Sequence, residues 1–130
     1  MYALDTNSLV YFFKGMGSVS EHLLTTPPRE VAVPAVTVYE LEVGIAKSTS
    51  PQKRKRQLDE FLRWASILPF ARVEARASAR IRAELERKGA PIGPLDTLIA
   101  GTAVAHGAIL VTRNVDEFGR IEGLKTENWY

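Results

Sequence analysis

Cysteine is missing from this chain of 130 residues, and that absence removes disulfides, thiolate zinc centres and cysteine nucleophiles together. Histidine is scarce too. The two present, His22 and His106, lie far apart in sequence, so reactions that need a paired imidazole acid and base have little to draw on. No apolar stretch approaches the roughly 18–20 residues that span a bilayer. The first residues lack a basic start followed by an apolar signal core, so a reducing, cytoplasmic setting is expected. Neither sign of charge dominates: 17 Lys and Arg stand against 15 Asp and Glu, a formal charge of +2. A composition that is 45% hydrophobic and 25% charged is ordinary for a folded domain, and the length predicts a single domain over 1–130.

What the chain does have is an aspartate at the end of its first apolar run. Met1-Tyr2-Ala3-Leu4-Asp5-Thr6-Asn7 reads as a short buried strand that stops on a carboxylate and enters a helix. A second aspartate, Asp96, opens an apolar helix in Gly93-Pro94-Leu95-Asp96-Thr97-Leu98-Ile99-Ala100. Further short strands are predicted at Val31-Ala32-Val33 and Ala108-Ile109-Leu110-Val111-Thr112, a weaker one at Ile67-Leu68-Pro69-Phe70, and an edge strand within residues 123–129. Helical stripes fall between them: Val38, Leu41 and Ile45; Leu58, Phe61, Leu62 and Ala65; Val73, Ala77, Ile81 and Leu85; and Leu95, Leu98, Ile99, Thr102 and Ala103. Gly89 and Gly107 supply stops for the last two. Strands alternating with helices predict an α/β domain whose central, mainly parallel sheet of about five strands is flanked by helices.

In an open parallel sheet, the carboxyl ends of the strands and the adjacent helix starts face a common crevice. Asp5 and Asp96 are expected there, joined by Glu40. On a helix, Thr37, Glu40 and Gly44 share one face, and the missing side chain of Gly44 leaves room beside the carboxylate. Glu42 points elsewhere and is expected to be a surface charge. Carboxylates about 4 Å apart repel by roughly 1 kcal/mol in water and by about 4 at an effective dielectric of 20. Three converging acids therefore call for a proton or a cation, and oxygen ligands suit Mg²⁺, with Mn²⁺ as a substitute.

Asp5-Thr6-Asn7, Glu40-Leu41-x-x-Gly44, Asp96-x-Leu98-Ile99-Ala100 and Val111-Thr112-x-Asn114-x-x-Glu117-Phe118 resemble the successive motifs of PIN-domain nucleases. Residues 92–101 through 123–129 are especially similar to VapC toxins of bacterial toxin–antitoxin pairs. The resemblance implies a PIN-like domain with Asp5 and Asp96 as direct metal ligands and Glu40 completing an acidic triad. Many members place a fourth acid where this chain has Asn114; the amide could act there, or Asp116 or Glu117 could substitute, with Glu117 preferred because it precedes Phe118. Thr6, Asn7, Thr112 and Glu117 are placed to support the site through hydrogen bonds. Thr6, Asn7 and Thr112 suit helix N-capping equally well. His106 is expected to cap a helix end, and Trp64, Trp129 and Phe118 to be core or interface.

The implied activity is Mg²⁺-dependent endoribonuclease cleavage, by hydrolysis, with a tRNA target; similarity to the enteric VapC type suggests the anticodon stem-loop of initiator tRNA. The basic run Lys53-Arg54-Lys55-Arg56 and the arginines along 72–87 are expected to follow the RNA backbone. The resemblance also implies a homodimer and a VapB-type antitoxin, while the lack of a long apolar stretch leaves no membrane partner expected. Three alternatives compete. A catalytically degenerate RNA-binding module would keep the basic surface without turnover. A Mg²⁺-dependent phosphatase of the haloacid-dehalogenase type needs Asp-x-Asp, and Asn7 occupies the second position. A response-regulator receiver needs a lysine after a late strand, where Arg113 stands.

Overall fold

Three of the five strands are only three residues long; those at Tyr2–Leu4 and Ile109–Val111 are covered on both faces, while the edge strand Ser66–Leu68 leaves Ile67 about half exposed. The computed structural model describes all residues 1–130. In chain order the elements are β1 (Tyr2–Leu4), α1 (Thr6–Lys14), α2 (Val19–Leu24), β2 (Val31–Pro34), α3 (Ala35–Ala46), α4 (Pro51–Trp64), β3 (Ser66–Leu68), α5 (Arg72–Arg87), α6 (Pro94–Ala105), β4 (Ile109–Val111), α7 (Val115–Phe118) and β5 (Thr126–Glu127). The sheet order is β3-β2-β1-β4-β5, and every pairing is parallel. Strands added on one side of β1 go out to β3, and later strands return on the other side. The order therefore reverses at β1, where such sheets open a crevice beyond their carboxyl ends.

Alternation along each strand divides the core. Ala3, Ala32 and Leu110 join Ile81, Leu85, Ile99, Ala100 and Ala103 from α5 and α6 on one face. Leu4, Val31, Val33 and Val111 meet Leu9, Leu58 and Phe61 from α1 and α4 on the other, with Trp129 buried among them. The two helices on the first face approach very closely at Gly101. A Cβ built there would lie 1.9 Å from Ser78 Oγ and 2.7 Å from Ser78 Cα, so only glycine permits the contact.

One stripe is corrected. Val73 is 63% exposed, although Ala77, Ile81 and Leu85 are buried as expected. A spacing of four drifts round the helix by about 40° per step, so three steps carry the first residue off the buried face. Glu74 and Ser78 are buried in that part of α5 instead. The Glu74 carboxylate accepts the Ala71 N–H at 2.8 Å, capping the helix start, and meets His106 Nε2 at 2.7 Å. Those hydrogen bonds, the Ala71 amide first, hold its carboxyl below the usual glutamate range. His106 does stand at the α6 C-cap, as expected, and its ring also ties that end to α5.

Candidate active site

Asp5 stands one residue past β1 and is the N-cap of α1. Its Oδ1 accepts the Ser8 N–H at 2.9 Å, and its own N–H donates to the Val111 carbonyl at 3.1 Å. Ser8 Oγ donates to the same Val111 carbonyl at 3.2 Å. The end of β1, the start of α1 and the end of β4 are thus laced together around one buried carboxylate. Burial pushes the Asp5 carboxyl up, while the Thr112 hydroxyl and the Ser8 amide and hydroxyl partly offset the rise.

Glu40 comes from the second turn of α3, which begins directly where β2 ends. Thr37, one turn earlier, is fully buried and donates to the Leu4 carbonyl at 3.3 Å, fixing α3 against β1. Glu40 is half-buried and accepts the Thr6 hydroxyl at 2.6 Å. Asp96 lies in the first turn of α6. Only three residues join the end of that helix to the start of β4, so its N-terminus lies toward the carboxyl edge of the sheet, beside Asp5.

Electrostatics shows how these groups meet. The Asp96 carboxyl is raised to about 6, first by burial and then by the charges of Glu117, Glu40 and Asp5. Each of three carboxylates from separate segments is near enough to make ionisation of Asp96 harder. No three Asp, Glu or His side chains stand together at metal-ligand spacing as placed. Asp96 thus stands among acids that disfavour its charge, and the cluster has the donor chemistry of a hard-cation site: carboxylate oxygens with neither sulfur nor imidazole among them. Mg²⁺ keeps several of its waters and needs only one or two carboxylates, so this set fits it.

Around the fourth position, Asn114 N–H donates to Thr112 Oγ1 at 3.0 Å, and its side-chain amide donates to Glu117. Glu117 is the acid of this turn whose charge bears on Asp96, and the amide of Asn114 holds that carboxylate. Thr6 and Thr112 both touch site acids. Asn7 is exposed and makes no side-chain hydrogen bond, and Asp5 rather than Thr6 or Asn7 caps α1. Of the basic run, Lys53, Arg54, Lys55 and Arg56 are all exposed on α4, but only Arg54 lines the cavity that also contains Glu40. The rest spread round the helix, as consecutive residues must.

A cavity of about 640 Å³ lies away from the site acids, between α1, α2 and α4. Phe12, Phe13, Leu23, Phe61 and Trp64 line it, together with Leu24, which is 87% exposed. Sequence patterning missed this cleft. The apolar run Leu9-Val10-Tyr11-Phe12-Phe13 was a usable signal, because it exceeds what one buried helix face requires.

The PIN domain family model matches residues 2–124. The chain is 34% identical over 128 residues to the tRNA(fMet)-specific endonuclease VapC of Shigella flexneri, covering 98% of this chain and 97% of the relative. It is 38% identical over 131 residues to Ribonuclease VapC2 of Rickettsia felis, covering 99% and 98%. Among solved structures, VapBC2 from Rickettsia felis bound to a promoter DNA fragment superposes with a TM-score of 0.93 at 37% identity, covering 99% of this chain and 98% of that one. DNA-bound VapBC from Salmonella typhimurium gives the same TM-score and coverage at 34% identity.

Proposed function

The chain belongs to the PIN-domain family, and on that premise we propose that it is a VapC-type, Mg²⁺-dependent endoribonuclease held in check by a VapB-type antitoxin. The observation that carries this reading is the convergence of Glu117, Glu40 and Asp5 on Asp96, whose carboxyl is raised to about 6 by burial first and then by their charges. Asp5 and Asp96 are the residues that would hold the cation. When bound, Mg²⁺ supplies charge stabilisation at a phosphoryl oxygen and acidifies water for attack on phosphorus.

The chain's own groups supply the positioning. Thr6 fixes Glu40 through its hydroxyl, leaving the second Glu40 oxygen to orient an attacking water. The Asn114 amide holds Glu117 beside Asp96. Ser8 and Thr112 set the direction of the Asp5 carboxylate. Of the two imidazoles, His106 is engaged by Glu74 and His22 on α2 is stacked against Trp129, so attack by a ribose 2′-hydroxyl finds no imidazole base among the site acids. Hydrolysis leaves a 5′-phosphate and a 3′-hydroxyl.

For substrate, the relative in Shigella flexneri is named as tRNA(fMet)-specific, and we carry the initiator-tRNA anticodon stem-loop over as the target. For partner, solved relatives are VapBC complexes, and an antitoxin arginine could fork onto the site carboxylates where a cation would otherwise sit. The apolar cleft between α1, α2 and α4 suits the hydrophobic face of an antitoxin helix. The test is to map the ends of the products from initiator tRNA with Mg²⁺. We expect 5′-phosphates with wild type and no cuts with Asp5→Asn; cyclic phosphates, or full activity of the variant, would overturn the assignment.

A further inference from the structure

Beside the acidic hollow lies a second cavity of about 420 Å³, walled by α1, α3 and the start of α4. It shares Thr6 and Glu40 with the acidic cluster, so whatever occupies it adjoins the scissile bond of the reaction proposed above. Its volume is within the range of about 300–1,000 Å³ that holds small ligands. The walls are apolar where Val10, Phe13, Leu41 and Leu58 contribute, and cationic where Lys14 and Arg54 contribute. Neither cation makes an ion pair with any carboxylate of the protein. Two positive charges against the one of Glu40 leave the cavity net positive, next to a hollow that is strongly negative.

Gly44 is the second, independent observation. Glycine in a helix costs about 1 kcal/mol relative to alanine. Here no tight neighbour requires it: a Cβ built at Gly44 meets nothing within 4 Å, and the residue lines the cavity wall. This contrasts with Gly101, where the protein's own backbone fills the space. Gly44 is exposed, so the space above it in the cavity is open to a bound group.

We propose that this cavity is a subsite for one unstacked nucleotide of the substrate RNA, next to the scissile phosphate, with its base over Gly44 and its backbone phosphate against Lys14 and Arg54. Single-stranded loop nucleotides are recognised in this manner, with the base on apolar side chains and the phosphate on cations. The Ser48 and Thr49 hydroxyls, also in the wall, offer hydrogen-bond partners for a ribose 2′-hydroxyl. The proposal rests on the ribonuclease reading and adds to it where the strand lies and which cations hold it.

The test measures binding and cleavage separately. Binding is read by anisotropy of a fluorescein-labelled initiator-tRNA anticodon stem-loop in EDTA, and cleavage of the same RNA is followed in Mg²⁺. Gly44→Leu should hold or raise Tm yet weaken RNA binding at least tenfold. Lys14→Gln and Arg54→Gln should each weaken binding and lower the slope of log K against log salt by about 0.7. Arg63→Gln, which removes a cation from the same helix outside the cavity, should have a smaller effect than either. 5′-UMP should compete weakly; UMP binding as tightly as the stem-loop would make this a mononucleotide site and overturn the strand assignment. Wild-type affinity in Gly44→Leu together with unchanged Lys14→Gln and Arg54→Gln would overturn the subsite while leaving the nuclease intact. RNA binding that depends on these residues without Mg²⁺-dependent cleavage would instead overturn the nuclease and leave the subsite. Failure of the wild type to bind or cleave the RNA would overturn both.

Discussion

At the scale of single residues, Asp5 serves the fold and the site with the same atoms. Its carboxylate caps α1 and receives the Ser8 amide in a buried setting. Asparagine caps a helix about as well as aspartate, so Asp5→Asn should cost less than about 1 kcal/mol while removing the charge. Asp5→Ala should cost about 2–3 kcal/mol, because the cap is lost and buried donors are left without an acceptor. Urea titration of the two variants checks this, and it makes Asp5→Asn the informative probe for activity. Asp96 predicts a pH effect of definite sign. Its folded carboxyl titrates near 6, above the ordinary value of 3.8, through burial and the charges of Glu117, Glu40 and Asp5. The folded state binds more protons than the unfolded chain between those values, so stability falls as pH rises from about 4 to 6 and then levels. Solvent screening at this half-exposed site limits the loss to about 1 kcal/mol. In EDTA, Asp96→Asn should flatten that part of the profile and be more stable than wild type at pH 7.5. An unchanged profile would detach Asp96 from the acidic cluster.

At the scale of elements, α5 against α6 shows what a periodic pattern conveys and what it hides. Ala77, Ile81 and Leu85 were legible as a buried stripe, because apolar side chains at helical spacing have few other uses. Glu74 was not legible. A glutamate reads as solvated unless its partners are known, and one of its partners, His106, comes from a different helix. Gly101 likewise looked like any glycine in an apolar helix, although its contact with Ser78 sets the separation of the pair. Gly101→Ala should destabilise by about 2–3 kcal/mol, since overpacking against backbone has no flexible side chain to yield. Adding Ser78→Ala removes the Oγ contact but not the one at 2.7 Å to Ser78 Cα, so rescue should be partial. Thermal melts of the single and double variants test this. Full rescue would show that the hydroxyl, not the backbone, sets the distance.

At the scale of the whole molecule, the parallel order β3-β2-β1-β4-β5 gathers acids that the sequence keeps far apart. Strand ends and helix starts were readable from Leu4-Asp5 and Pro94-Leu95-Asp96, which places Asp5 and Asp96 at one edge from sequence alone. The fourth charge was readable only as a preference for Glu117, resting on its place before Phe118. Asn114 and Glu117 are three apart on a single turn, and only the hydrogen bond between them separates the anchor from the charge. Because the carboxylates belong to segments distributed along the chain, the unfolded protein has no such site. A cation held there must therefore stabilise the fold by mass action, by about 2.7 kcal/mol at a hundredfold excess over Kd. For a domain of this length that is a rise in Tm on the order of 10 °C. Titration with Mg²⁺ at pH 7.5 should show this rise, and Asp5→Asn combined with Asp96→Asn should abolish it. Because Asp96 takes up its proton near 6, the shift should also shrink as pH falls through that value, while a cation bound elsewhere on the surface would leave the double variant responding like wild type.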